Sequence, residues 1–365
     1  PISKSGMTPG TITIPIKGGV IKPTGIYPYG DFKAERTKSY EVGVTARFFN
    51  KIHLDATWYK SNTYNQTFIG DLPESSGYKA VYLQAGDIEN KGWEVSLGYN
   101  DQFGDFGVSS TLSYTKNKNK IKEMVENYQH PLSPEPINIP EVSKDKGRVI
   151  LKAGGSINDI YASKFFKKDN QGHINISETG ELVLENTDPV YLGKTTPDYT
   201  LGWNNSFSYK GFGLSFLVNA RVGGVVTSST EAVLDRFGVS KASADARDNG
   251  GVLIPNQGYN ARIDAKKYYQ MIGTGESELA GFYTYSATNV RLQELTLSYS
   301  FPASWFNNVI QNLTLSFIAS NPWMIYCKAP YDPELTPSTG TYGQGNDYFM
   351  QPSLRSLGFG VKVKF

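Results

Sequence analysis

The sequence has a single cysteine, Cys327, so no disulfide can form within the chain and a disulfide-stapled scaffold is excluded. Histidine is almost as scarce. His53, His130 and His173 lie far apart, with no spacing that suits metal ligands or a catalytic triad. Charge of one sign is also missing: 36 Lys and Arg nearly balance 34 Asp and Glu, and a net charge of +2 leaves no basic footprint for nucleic acid. No apolar run reaches the roughly 18 residues of a helical membrane span. The opening stretch, PISKSGMTPG, has neither the charged nor the apolar region of a signal peptide. One membrane class survives these absences. The strands of a transmembrane β-barrel alternate apolar and polar residues, and so average to a mild hydrophilicity such as the mean hydropathy of −0.38 found here.

What is present points the same way. The 365 residues include 24 Tyr, 19 Phe and 37 Gly, a mixture that favours strands and turns over helices. Apolar residues recur at period two. Tyr40, Val42, Val44, Ala46 and Phe48 share one side of a strand whose other side is Glu41, Gly43, Thr45 and Arg47. Past a turn at Asn50-Lys51, Ile52, Leu54, Ala56 and Trp58 oppose His53, Asp55, Thr57 and Tyr59. Trp93, Val95, Leu97 and Tyr99 form a third stripe; Phe106, Val108, Leu112 and Tyr114 form a fourth. In the second half, Tyr199, Leu201, Trp203, Phe207 and Tyr209 alternate with small polar residues, with Asn205 as an exception. Further stripes run through Phe212–Val222, Leu295–Phe301, Leu313–Ala319 and Leu357–Phe365. With a less regular strand near 147–155, the pattern predicts about ten strands.

The predicted connections alternate in length. Short turns fall at Asn50-Lys51, 101–105, Lys210-Gly211 and 302–311, and long segments at 67–87, 116–146, 156–197, 224–288 and 321–352. Outer-membrane barrels have this asymmetry, with short periplasmic turns and long extracellular loops. The polar side of the strands is mostly Ser, Thr, Gly and Asn, which suits a confined, wet lumen better than bulk solvent, and aromatics gather at strand ends as interfacial girdles do. A soluble β-sandwich with aromatic corners is the competing fold. The chain's end, SLGFGVKVKF, places Phe359, Val361, Val363 and Phe365 on one side of a terminal strand. These four residues form a barrel-assembly signal in this reading.

Several stretches resemble the SusC/RagA family of TonB-dependent outer-membrane transporters of Bacteroidetes: ERTKSYEVGVTARFFNKIHLDATWYKSNTYNQTF, GDIENKGWEVSLGYN, TPDYTLGWNNSFSYKGFGLSFLVNARVGG, TNVRLQELTLSYSFP and APYDPELTPSTGTYGQGNDYFMQPSLRSLGFGVKVKF. They occur in the family's order and cover nearly the whole chain from Tyr27. The resemblance implies an all-β fold in which about ten strands are the C-terminal part of a 22-stranded transmembrane barrel. It divides the chain into a loop or partial strand over 1–36 and barrel over 37–365, with the family's plug domain and TonB box absent. It also implies a function: active import of a glycan or an oligopeptide with a SusD-like surface lipoprotein, driven by TonB through the missing N-terminal part. The remainder of the same barrel and outer-membrane lipid are further partners. Two alternatives stand beside it, a passive porin or small complete outer-membrane barrel, and a secreted carbohydrate-binding β-sandwich.

No catalytic constellation, metal-ligand set or cofactor motif accompanies this pattern, so an enzyme is not expected. GTGESELAG and STGTYGQGND lack the strand-to-helix context of a phosphate loop. KKDNQGH lacks the carboxylate spacing of a calcium loop and reads as a hairpin turn. EAVLDRFGVSKASADARD does not alternate and reads as a short loop helix. Substrate or partner contact falls to loop aromatics and acids: Tyr283, Tyr285, Tyr331, Asp332, Glu334, Tyr342, Tyr348 and Phe349. Nothing in the sequence chooses between glycan and peptide.

Overall fold

The computed structural model describes residues 33–71, 78–128, 137–144, 148–254, 261–307, 309–335 and 344–365, with short pieces at 16–17, 20–21 and 26–27. Nine strands form one antiparallel meander: β1 (Arg36–Phe48), β2 (Ile52–Asp71), β3 (Ala80–Phe103), β4 (Phe106–Glu123), β5 (Tyr199–Tyr209), β6 (Phe212–Val222), β7 (Asn289–Pro302), β8 (Asn312–Cys327) and β9 (Ser356–Lys364). A two-residue strand, Ile26–Tyr27, adds to β3 in parallel. The sheet is single, not a pair of packed sheets, which sets it apart from a sandwich. Among the described residues β1 pairs along its length only with β2, and β9 only with β8. The first and last strands do not meet, as they would in a small complete barrel.

The strand expected near 147–155 is not part of this sheet. Val149–Lys152 belongs to a separate four-stranded sheet with Glu141–Lys144, Asp159–Phe166 and Leu184–Lys194. The physical reason is visible in its burial: Val149, Ile150 and Leu151 are all buried. A strand covered on both faces reads as a continuous apolar run, not as the alternation of a wall with lipid on one side. Its removal makes 124–198 one long connection and leaves short and long connections alternating strictly. Of the loops expected over 67–87 and at 116–123, residues 67–71, 80–87 and 116–123 are strand instead, and 72–77 lie outside the described residues. β2 and β3 are 20 and 24 residues long, against the roughly 9–11 that cross a bilayer, and their ladder continues to Asp71 opposite Ala80.

The registers sort the wall into two faces. Val44, Ala56, Val95, Tyr114, Leu201, Ala220 and Val290 lie in one row across seven strands, and Phe207, Leu214, Leu297, Phe317 and Phe359 in another. The opposite face carries rows such as Gln102, Gly107, Ser208, Gly213, Ser298, Ser316 and Gly360. The first face is exposed despite being apolar, with Val42 and Val44 at 69% and 58% and Phe359 at 86%. It therefore faces lipid, and the polar face lines the lumen. On β3 the outward run from Phe103 to Trp93 spans ten residues, about 34 Å along the strand. At a tilt of about 40° this rises about 26 Å, the height of the apolar band of outer-membrane barrels.

The exception at Asn205 is resolved across the strands. Asn205 lies opposite Ser110 on the outward face, is 1% exposed, and accepts a 2.8 Å hydrogen bond from the Ser110 hydroxyl. The Trp203 indole Nε1 donates to the same hydroxyl at 3.1 Å. The Asn205 carbonyl and the Ser110 hydroxyl are thus paired beneath an aromatic ring, while the buried Asn205 Nδ2 has no hydrogen-bond partner.

Turn chemistry sets the short end. Lys210 and Gly211 both have positive φ, +46° and +88°, as a two-residue hairpin following the right-handed twist requires. A Cβ on Gly211 would also lie 2.6 Å from the Ser300 carbonyl oxygen, so this turn accepts no larger residue. Within the wall, Gly92 makes room for the Tyr59 hydroxyl, which lies 2.6 Å from where a Cβ would be.

The long connections build a crown at the other end. Phe68, Leu83, Ile88 and Ile121 from the upper ends of β2–β4 pack with Val142, Val149, Leu151 and Ile160 of the small sheet. Among the described residues the connection 223–288 carries three α-helices, α1 (Ser229–Arg236), α2 (Lys241–Asp248) and α3 (Ala265–Ile272), so the predicted single loop helix is two helices, α1 and α2, with α3 beyond them. Each has an oxygen cap: Ser228, Ser240 and Asp264 accept from Glu231 N, Ser243 N and Lys267 N. The helical segment joins the small sheet through Phe166, whose ring meets Phe282 edge-on at 4.8 Å. The predicted KKDNQGH turn is present, with Asp169 Oδ1 accepting from the backbone of Gln171 and His173.

Candidate functional site

The lumen wall and the crown above it form the candidate site. The wall's lumen face carries mixed polar groups, many of them hydrogen-bonded to one another. On β1 and β2 the Thr45 hydroxyl donates to Asp55 at 2.6 Å, and His53 Nε2 lies 2.5 Å from the same carboxylate. On β5 and β6, Ser215 donates to Ser206 at 3.0 Å, and on β6 and β7 Asn219 donates to Gln293. Such a surface offers hydrogen bonds to a passing solute. Among the described residues no group of three His, Cys, Asp or Glu side chains could hold a metal ion.

Where the wall meets the crown, two arginines enter the lumen face. Arg221 on β6 donates to the Thr195 carbonyl. Arg291 on β7 is 5% exposed and donates to Asp332 Oδ1 at 2.8 Å, with Glu334 at 3.5 Å. Asp332 also accepts from Ser353 N and Glu334 N. This is a clasp: one buried guanidinium ties the connection between β8 and β9 to the barrel wall. Burial pushes the Asp332 carboxyl up, but the bonds from Arg291, Ser353 and Glu334 outweigh it and hold the group below its ordinary value.

The described contact residues among those predicted separate into four environments. Tyr283 is buried in the helical core, and its hydroxyl donates to Asp235 Oδ2 at 3.1 Å; burial, then Asp235, pushes it well above the usual tyrosine range. Tyr285 and Tyr331 meet edge-on at 6.2 Å around the small core of Val226, Ala287 and Ala329. Burial raises Glu231 beside Tyr285, and raises both tyrosines. Tyr348 and Phe349 are exposed, at 59% and 56%, and stacked edge-on at 5.1 Å. Phe349 holds a φ of +50°, a conformation a bulky residue rarely adopts. It is fixed by its backbone N–H donating to Thr230 Oγ1 and by Asp347, whose carboxylate accepts from Ser228. Asp332 and Glu334 sit in the clasp, and Tyr342 lies outside the described residues. Phe359, Val361, Val363 and Phe365 follow one another on the outward face at the last strand.

Sequence reading missed Arg291, although its signal is there. In NVRLQELTLSY the apolar positions are 290, 292, 295 and 297; the three-residue step marks a bulge at Gln293, where the register shifts between β6 and β7. Counting back through that bulge puts Arg291 on the lumen face. Asp235 carries no comparable signal, since its partner Tyr283 is 48 positions away.

Comparison with known proteins agrees with the geometry. A family model described as TonB dependent receptor-like, beta-barrel matches residues 8–223. TonB-dependent receptor P3 of Formosa agariphila is 24% identical over 360 residues, covering 92% of this chain and 34% of that protein. TonB-dependent receptor SusC of Bacteroides thetaiotaomicron is 22% identical over 333 residues, covering 85% and 32%. Among solved structures, the RagAB peptide transporter superposes with a TM-score of 0.63 at 18% identity, over 91% of this chain and 35% of that one. The chain thus spans about a third of the length of the relatives it matches. The chain belongs to the TonB-dependent receptor β-barrel family, and the nine strands of its main sheet form part of the wall of an outer-membrane barrel.

Proposed function

We propose that the chain is the C-terminal wall and crown of a SusC-like active importer. It takes up a glycan or an oligopeptide, is driven by TonB through the remainder of the protein, and is capped at the cell surface by a SusD-like lipoprotein. The observation that carries this reading is the pair of sheet edges. Among the described residues β1 and β9 are each paired on one side only, and a row of unpaired backbone groups does not persist in hydrocarbon. Further strands must complete the barrel, and a wide barrel suits a lumen face of Ser, Thr, Gly and Asn. The exposed Tyr348–Phe349 pair offers a rigid stacking platform of the kind that holds a sugar ring or a peptide side chain. The clasped Asp332 and Glu334 shape the loop beside it.

The reading is tested in cells producing the full-length protein, by following uptake of fluorescent oligosaccharides and oligopeptides with and without functional TonB. Uptake of one class that stops when TonB is removed, and that weakens in Y348A/F349A, is the expected result. Uptake that continues without TonB identifies a passive pore and overturns the proposal.

A further inference from the structure

The upper end of β4 reads TKNKNKIK, and its register separates the two residue types. Asn117 and Asn119 face the lumen, where both donate to Asn90. Lys116, Lys118, Lys120 and Lys122 face outward. Cross-strand neighbours extend the outward set: Lys118 lies opposite Lys91, which lies opposite Lys60, while Lys120 lies opposite Glu89 and then Asn62 and Lys38. Seven lysines therefore occupy adjoining outward positions on four strands. Strands about 4.8 Å apart with same-face residues about 7 Å apart make this a grid of ammonium groups.

Two acids of the grid are already engaged, and a third, the exposed Glu123, lies opposite Asp87 at its upper edge. Glu89, 4% exposed, is ringed by Lys60 at 3.1 Å, Lys91 at 3.7 Å and Lys122 at 3.9 Å. Asp87 accepts twice from Asn62. Among the described residues Lys116, Lys118 and Lys120 have no acidic partner, and Lys116 and Lys118 are exposed.

Position gives the grid its meaning. Trp58 and Trp93 lie opposite each other at the top of the apolar band, and Lys60, Lys91 and Lys118 are one outward step, about 7 Å, beyond them. The lysines thus stand just outside the hydrocarbon, on the lipid-facing side, at the end carrying the long connections. On β5 and β6 the outward positions level with Trp93 and Lys116 are Tyr199 and Val222, both uncharged. The seven lysines are gathered on four adjoining strands of the nine. A lipid surface presents phosphate at that depth, and lysine ammonium groups pair with phosphate through charge-assisted hydrogen bonds.

We propose that the outward face of β1–β4 is a binding site for a lipid with a phosphorylated headgroup in the extracellular leaflet. Lys91, Lys118 and Lys120 hold the phosphates, and the Trp58–Trp93 row seats the start of the acyl chains. The test uses the purified full-length protein in detergent, with lipid A carrying two phosphates or none as probe and native mass spectrometry as readout. The diphosphorylated form should bind at least about tenfold tighter, the scale of one or two charge-assisted hydrogen bonds. K91Q/K118Q/K120Q should remove that advantage, and K167Q/K168Q/K266Q, on exposed crown positions, should keep it. Both variants should retain the wild-type heat-modifiable gel shift, so that lost binding is not lost folding. Inorganic pyrophosphate should fail to displace the lipid at matched concentration. Equal binding of the dephosphorylated form, full binding by K91Q/K118Q/K120Q, or displacement by pyrophosphate would overturn the lipid assignment; the last would mark a site for free phosphate.

Discussion

The wall and the crown use apolar residues in opposite ways. In the wall, Val42, Val44, Phe359 and Val361 point outward and are more than half exposed. In the crown, Ile121, Leu151 and Ile160 are buried to within 2%. The same chain solves two solvent problems. The wall presents its apolar face to hydrocarbon and needs only backbone pairing to close its polar groups. The crown stands in water and must bury its apolar face against itself, by folding three long connections into one body. Polar groups divide the same way: those of the wall are spread in hydrogen-bonded rows, whereas those of the crown are gathered into single buried contacts such as Arg291–Asp332 and Tyr283–Asp235.

This contrast can be broken at its most loaded point first. Arg291→Met leaves Asp332 buried beside Glu334 with no cation, and should destabilise the anchoring of the connection between β8 and β9 by about 3–5 kcal/mol. Hydrogen exchange at 332–335 and 353 would report it; unchanged protection would show that the clasp carries no stability. Asp332 is held below its ordinary value, so its contribution is present above the unfolded pKa, about 3.9, and is lost as pH falls through the lower folded value. Wild-type protection of this segment should therefore hold at pH 5 and fade on acidification below about pH 4.

A matched pair of truncations separates the two solvents. Leu151→Ala in the crown should cost about 2–5 kcal/mol through lost burial and a cavity. Leu97→Ala on the lipid face should cost far less, because lipid tails fill the space and are as apolar as the side chain removed. Equal costs in denaturant unfolding from vesicles would mean that Leu97 packs against protein. Charge gives the reverse contrast: Val44→Arg or Leu214→Arg should cost about 2–4 kcal/mol near the midplane, whereas an arginine at exposed crown position Lys168 should be silent. Among the destabilising changes in the crown, the smallest effect is expected for Tyr283→Phe. It removes one donor from Asp235, which keeps the Ser240 hydroxyl, and should lower the crown's stability by about 1–3 kcal/mol.

The wall was legible because two solvents impose period two on each strand, and the alternation of short and long connections gave the orientation. The misreadings share one cause. Val149–Lys152 is covered on both faces, so its apolar run imitates a strand without stating which sheet it joins. The upper ends of β2–β4 leave the membrane, where the outward face changes from aromatic to lysine, and the pattern Lys116, Lys118, Lys120 looks like loop unless polar residues are also read at period two. The crown's contacts were beyond reach for another reason. Arg291 and Asp332 are 41 positions apart and Tyr283 and Asp235 are 48, and no periodicity links members of a one-off pair. Tyr348 and Phe349 are visible as loop aromatics, but only the fold shows that they are the exposed pair while Tyr283 is core.

The orientation of the wall underlies every other assignment, and a spin-label scan along β6 tests it most directly. With Cys327 replaced by Ser, single labels at each position from Phe212 to Val222 in the full-length protein would be read for collision with oxygen, which concentrates in lipid, and with a water-soluble nickel chelate. Labels at Leu214, Phe216 and Val218 should favour oxygen, and labels at Gly213, Ser215, Leu217 and Asn219 should favour the chelate, in strict alternation. Inverted alternation, or none, would contradict a wall with lipid on one face and a wet lumen on the other.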